Sequence, residues 1–307
     1  MSQFQEKTPA KINLTLAVRG RRADDFHEIE SFAIPIAIYD TLHVEPSSAF
    51  RLEVQGPFAA PTDETNLVHL AAHALAVAAD CQPNVHIILT KNIPVGAGLG
   101  GGSSDAAATL LALSRLWSLN WPADRLATIA AKLGSDVPFF LDPRPAMMTG
   151  RGDRIEPVTW AAPDLESIWI ALIVPVFSLS TVEVYRRHAE IAAPPAGRNP
   201  IHDESARTVR ELMDLLFNNL ESAAFSCEPR LADLHARLTE RSDRPIRMSG
   251  SGSALFSLFV RREEANAWAG DMEDICKSTC GIRIVQPHKP IGASESGIRQ
   301  KSMHDRR

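Results

Sequence analysis

The sequence predicts an α+β protein of two domains. Three observations carry that expectation: apolar runs of period two crowd the chain up to Thr90, a glycine-rich segment then leads into two helical stretches, and strand and helix patterns alternate again beyond Pro163. A length of 307 residues makes two domains the natural division. With 45% hydrophobic and 22% charged residues, the chain has apolar material for a sizeable core.

Taken in order, Ile12, Leu14, Leu16 and Val18 alternate with Asn13, Thr15 and Ala17, the period of a strand with one face in the core. Lys11 and Asn13 then share the other face. Strand patterns follow at 32–38, 41–45, 51–55 and 85–90, punctuated by Pro46, Ser47 and Gly56, with a helical stretch at 66–79. After the glycines, Ala106, Leu110, Leu113 and Trp117 recur at helical spacing. Pro122 starts a second helix carrying Leu126, Ile129, Ala130 and Leu133. The first domain is expected to span 1–161, with the boundary near 161–163. The second, 162–287, reads as strand 168–174, helices 205–224 and 229–239, a Gly/Ser turn, strand 254–260, helix 263–279 and strand 282–286, a ferredoxin-like order. The Pro-rich stretch 191–200 is read as an excursion within it. The polar, aperiodic tail 288–307 is expected to be disordered, and no internal repeat is visible.

A net charge of -5 and a pI near 6.1 supply no basic field for a phosphate backbone, so small solutes are expected in place of nucleic acid. Cys81, Cys227, Cys276 and Cys280 show no metal or disulfide spacing, which fits a reducing cytoplasm. The first residues lack a signal-peptide core, and no apolar run reaches the roughly 18 residues of a membrane span. His69 and His73 stand one helical turn apart but lack the glutamate of a zinc-protease motif, and read as helix-surface histidines. Cys276 and Cys280, on one helix face with Trp268 and Met272, read as core.

Residues 94–108, PVGAGLGGGSSDAAA, lie between the strand ending near Thr90 and a helix expected to begin around Ser104. Glycines let the main chain approach a ligand and converge its N–H groups on one anion, and a following helix adds its own free N–H groups and dipole. Ser103, Ser104 and Asp105 stand where a helix cap is wanted. Gly96, Gly98 and Gly101 also fit a dinucleotide fingerprint, but the motif does not open a chain-initial βαβ unit and no acid follows at the required place. A Walker loop is excluded because no Gly-Lys-Ser/Thr follows.

Together with PAKINLTLAVRGRRADDFHEIES at 9–31, GSDVPFF at 134–140, NNLE at 218–221 and RMSGSGSALF at 247–256, this segment resembles the GHMP superfamily of small-molecule kinases. The resemblance covers about 7–287. It implies a ribosomal S5-like first domain, a ferredoxin-like second domain, and ATP with Mg2+ as cofactors. Among the family's branches, it points to the one whose alcohol acceptor is a cytidine diphosphate derivative, in non-mevalonate isoprenoid biosynthesis. The partner expected is that small molecule, with the chain a monomer or weak homodimer.

By position, the resemblance makes Lys11 and Asp136 the catalytic pair. On pattern alone they read as an exposed strand lysine and a helix cap. It assigns Pro94, Gly96, Gly98, Leu99, Gly100, Gly101, Gly102, Ser103 and Ser104 to the nucleotide phosphates, Asn66 and Lys91 to the adenosine side, and Ser104 also to the metal. Asn13, Phe26, His27, Thr181, Tyr185, Gly250 and Gly252 would hold the acceptor, with Tyr185 facing Phe26 across the base. Phe26 stands where the family usually has tyrosine, keeping a stacking face without the hydroxyl, and Asp25 stands where it commonly has glycine.

Overall fold

The structure is a computed structural model that describes residues 4–158, 167–191 and 208–289. Its organising feature is an antiparallel pair of long strands, β1 (Phe4–Arg21) and β2 (His27–Pro46). The runs expected at 32–38 and 41–45 form one strand. A register shift opposite Pro9 and Ala10 leaves Ala37 and Ile38 unpaired with β1, and the Ala37 N–H donates to the Gln286 carbonyl at 2.8 Å.

Being long, β2 serves different neighbours along its length: residues 29–33 pair with β5 (Ala146–Gly150) and residues 41–46 with β4 (Val85–Thr90). With β3 (Arg51–Gln55) and β6 (Arg154–Pro157), the sheet order is β3-β4-β2-β5-β6, and β1 lies against β2. A second sheet has the order β10-β7-β9-β8, from β7 (Trp169–Pro175), β8 (Arg247–Met248), β9 (Leu255–Phe259) and β10 (Cys280–Val285).

The period-two alternation of these strands sorts the core into layers. Ala33, Leu42 and Val44 carry α1 (Leu67–Ala78), α2 (Gly101–Leu116) and α3 (Ala123–Leu133) on one face of the first sheet. Their neighbours Ile12, Ile34 and Ile36 meet Ile170, Leu172 and Phe256 of the second sheet and α5 (Val209–Leu215). The alternate residues Ala171, Ile173, Leu255 and Phe259 carry an outer layer of α4 (Thr181–Glu190), α6 (Glu221–Cys227), α7 (Pro229–Arg241), α8 (Arg262–Asp271) and α9 (Glu273–Cys276). Apolar burial between the sheets thus continues from one into the other, and β1 is buried over most of its length.

Several expectations need correction. The helix expected at 205–224 is two helices, because the chain between α5 and α6 pairs with β1: the Leu16 N–H donates to the Phe217 carbonyl and the Asn219 N–H to the Leu16 carbonyl, both at 2.9 Å. The helix expected at 263–279 breaks at Met272, and Cys280 belongs to β10, opposite Pro175. Cys276 and Cys280 therefore do not share a helix face, although both pack in the outer core with Trp268 and Met272. His69 and His73 are half-buried, their rings stacked 4.1 Å apart against the edge of Phe50. His288 is held by the Pro35 carbonyl and the Tyr39 hydroxyl. The expected boundary at 161–163, residues 192–200 of the Pro-rich stretch and residues 290–307 of the tail lie outside the described residues. Among the described residues, no helix is long and apolar enough to cross a membrane.

Candidate active site

β1 brings its polar face to a cavity of about 1040 Å³ between the sheets. Lys11 is fixed at both ends. Its main-chain N–H donates to the Leu99 carbonyl at 2.9 Å, and its ammonium bonds Asn13 Oδ1 and stands 3.3 Å from Asp136 Oδ2. The Lys11 side chain is 4% exposed and that of Asp136 is 32%, so the carboxylate is the member that reaches solvent and ligand. Asn13 Nδ2 in turn donates to Ser31 Oγ at 2.7 Å, and that hydroxyl donates to the Thr15 carbonyl. A bulge between Asn13 and Thr15 aims this group into the cavity. Asp136 precedes the short 3-10 turn Pro138–Leu141, whose cap Val137 makes no side-chain bond. The carboxylate faces Lys11 instead of capping.

The glycine-rich loop is clamped from three sides. The Leu99 carbonyl is taken by Lys11, the Ala97 carbonyl accepts from the Ala254 N–H, and the Gly98 carbonyl accepts from Ser249 Oγ. Gly98 and Gly100 adopt left-handed φ of +74° and +70°; a Cβ on Gly98 would lie 2.4 Å from the Ser249 carbonyl, and one on Gly100 2.9 Å from Phe140. Close internal packing therefore explains these two. Gly102 differs, since a Cβ there would meet nothing nearer than Leu67 at 3.7 Å.

The helix starts earlier than expected. Gly100 is the left-handed cap of α2, and Ser103, Ser104 and Asp105 lie inside it. The first turn leaves the N–H groups of Gly101, Gly102 and Ser103 without intrahelical acceptors, at the cavity wall. Asp105 is drawn inward instead of capping: it accepts from Thr8 and, at 2.7 Å, from Lys91, whose ammonium also bonds Asp40. Burial pushes the Asp105 carboxyl well above the usual carboxylate range, with Lys91 pulling the other way. For Lys91 burial acts downward, and the two carboxylates overcome it to raise the ammonium.

At the other end, His27 and Tyr185 rings lie 5.1 Å apart, tilted by 34°. Burial, and then the charge of Asp136, pushes the Tyr185 phenol up; burial, then His188 and Arg21, pushes His27 down. Phe26 is 47% exposed, with the Arg151 guanidinium 4.9 Å from its ring centre, and both Phe26 and Tyr185 line the cavity. Asp25 keeps the left-handed turn, at φ +65°, that a glycine would adopt without a side-chain penalty. Thr181 joins Ser251 by a 2.8 Å hydroxyl contact, and the Gly250 carbonyl accepts from Asn218 Nδ2 at 2.7 Å.

Every predicted site residue lines the cavity except Ser104 and Gly252. Ser104 is 2% exposed, so the expected metal ligand does not fit. Among the described residues, no group of three or more His, Cys, Asp or Glu could hold a metal ion. The side chains of Asn66 and Lys91 are engaged within the protein, Asn66 by Val68 N–H and the Pro61 carbonyl. Unforeseen from sequence are Arg21, Arg151 and Arg186 on the wall and Asp40 beneath it. Asp40 had one local signal, an acid directly after the apolar run at 32–39.

Family models for the GHMP kinases N terminal domain and the GHMP kinases C terminal match residues 66–142 and 201–275. The 4-diphosphocytidyl-2-C-methyl-D-erythritol kinase of Paramagnetospirillum magneticum is 37% identical over 276 residues, 89% of this chain and 94% of the relative. A crystal structure of 4-(cytidine 5'-diphospho)-2C-methyl-D-erythritol kinase superposes with a TM-score of 0.70 at 35% identity, covering 93% of this chain and 100% of the other. A homoserine kinase from Cytophaga hutchinsonii, at 16% identity and a TM-score of 0.64 over 93% of this chain and 95% of its own, shares the fold.

Proposed function

The chain belongs to the GHMP kinases, and within that family we propose that it transfers the γ-phosphoryl group of ATP to the 2-hydroxyl of 4-diphosphocytidyl-2-C-methyl-D-erythritol. The observation that carries the chemistry is the Lys11–Asp136 pair, 3.3 Å apart on the cavity wall. An alcohol is a weak nucleophile at neutral pH, and a carboxylate placed to take its proton makes it a better one. Asp136 accepts that proton as the acceptor oxygen bonds to the γ-phosphorus. The bond from phosphorus to the bridging oxygen breaks, and ADP leaves.

Phosphoryl transfer otherwise needs alignment and charge stabilisation. The Lys11 ammonium supplies charge beside the reacting oxygen, with its position set by Asn13 and Ser31. The free N–H groups at the start of α2 face the nucleotide phosphates. Mg2+ bound with ATP would supply charge neutralisation at the phosphates; Ser104, 2% exposed and off the cavity wall, is not placed to hold it. The pocket of Phe26, His27 and Tyr185 takes the cytosine ring.

The test is ADP release with Mg-ATP and the diphosphocytidyl substrate, beside mevalonate, homoserine and galactose. Turnover is expected with the cytidyl substrate alone, and Asp136→Asn should lower kcat by about 10² to 10⁴ with the fold intact. Turnover of another alcohol, or an undiminished Asp136→Asn, would overturn the substrate or the base respectively.

A further inference from the structure

The turn between β5 and β6 forms part of the cavity wall, and Arg151 heads it. Its Nε donates to Asp153 Oδ2 at 3.0 Å and its Nη2 to the Ala131 carbonyl, while Nη1 makes no hydrogen bond among the described residues. The guanidinium carbon lies 4.9 Å from the centre of the Phe26 ring, and the side chain is 24% exposed. A side chain with many rotamers is therefore held in place before any ligand arrives, which lowers the entropy lost on binding.

The next residue points to the other end of the site. A Cβ built on Gly152 would lie 3.9 Å from Asp136 Oδ1. One short turn thus reaches from the ring at the base pocket to the carboxylate at the reacting hydroxyl. The substrate must span the same interval, and a diphosphate joins its two ends.

The other cations on the wall are committed or solvated. Lys11 is held by Asn13 and Asp136, and Lys91 by Asp40 and Asp105. Arg21 and Arg186, paired with Asp25 and Glu190, have side chains 68% and 65% exposed. We propose that Arg151 binds the substrate's diphosphate, so that acceptors carrying that group are favoured over plain alcohols. Nη1 is the free donor, a guanidinium suits phosphate oxygens, and Phe26 supports its face. This rests on the function proposed above.

The test is calorimetric binding of CDP and of cytidine to the full chain and to Arg151→Gln and Arg151→Lys, with steady-state kinetics alongside. The wild type should bind CDP more tightly than cytidine. Arg151→Gln should erase roughly tenfold or more of that advantage and raise KM for the diphosphocytidyl substrate similarly, since a charge-assisted hydrogen bond is lost. KM for ATP should stay near wild type, and Arg151→Lys should restore part of the CDP preference. A CDP to cytidine ratio unmoved in Arg151→Gln overturns the assignment even where turnover of the wild type upholds the function. If Arg151→Gln does not fold, a wild type that binds CDP no better than cytidine, or an Arg151→Lys with no change from wild type, overturns it. A wild type that neither turns over the substrate nor binds CDP removes the function and this inference together.

Discussion

His188 lies on the buried side of α4, 7% exposed, with its Nδ1 lacking a hydrogen-bond partner among the described residues. Burial pushes its imidazole below the ordinary value of 6.5. The unfolded chain then takes up a proton more readily than the folded one as pH drops through that value. Stability from this group is fully present above the ordinary histidine range and is lost on acidification. Melting curves between pH 7.5 and 5.5 should therefore show a steeper fall in Tm for the wild type than for His188→Asn; parallel slopes would place the acid sensitivity elsewhere. Residues of this kind were not legible in the sequence. His188 is one polar position in a helix whose buried side becomes evident only once α6 packs against it. Lys11 and Asp136 were likewise ambiguous on pattern, because no local period records that a strand residue and a residue after α3 will meet.

At the scale of elements, strands with strong alternation and helices with clear caps were read well: β4 and the start of α7 fall at the expected residues, and α1 lies within one residue of its expected ends. The start of α2 and the break between α5 and α6 were not, because each is set by a partner distant in sequence. Asp105 could not be seen to leave the cap position without Thr8 and Lys91. The phosphate loop mixes two kinds of glycine that look alike in sequence. Gly98→Ala should lower both Tm and kcat/KM, since the added carbon meets the Ser249 carbonyl at a left-handed φ. Gly102→Ala has room and lies in a helix, where alanine is favoured by up to about 1 kcal/mol. Its Tm should hold or rise while KM for ATP increases, and an unchanged KM would mean that the phosphates do not approach the loop there.

For the molecule as a whole, the NNLE segment, whose resemblance carried no role, joins the two sheets. Asn218 Nδ2 donates to the carbonyls of Met248 and Gly250, its Oδ1 accepts from the Leu220 N–H, and Asn219 Oδ1 accepts from Val18 of β1. Asn218→Ala should cost about 2–3 kcal/mol, because buried carbonyls and an N–H lose their partners. The same change should lower kcat/KM by freeing the Gly250 loop. Retained stability in denaturant titration would show that β1 and the apolar layer hold the sheets together without it. The two-sheet plan was legible in the sequence, whereas the clasp between the sheets was not, since both asparagines fall within the single helix expected at 205–224 and leave it only because that chain pairs with β1.

The path of β1 also bears on how the protein comes into being. Asn13, near the beginning of the chain, is fixed by Ser249, far toward its end, and Ala37 by Gln286 beyond the last strand. During synthesis the first sheet can take shape as it emerges, but the groups that align phosphate and alcohol are complete only once the segment around Ser249 and Gly250 has left the ribosome. Phosphate transfer therefore waits until that later segment has closed upon β1.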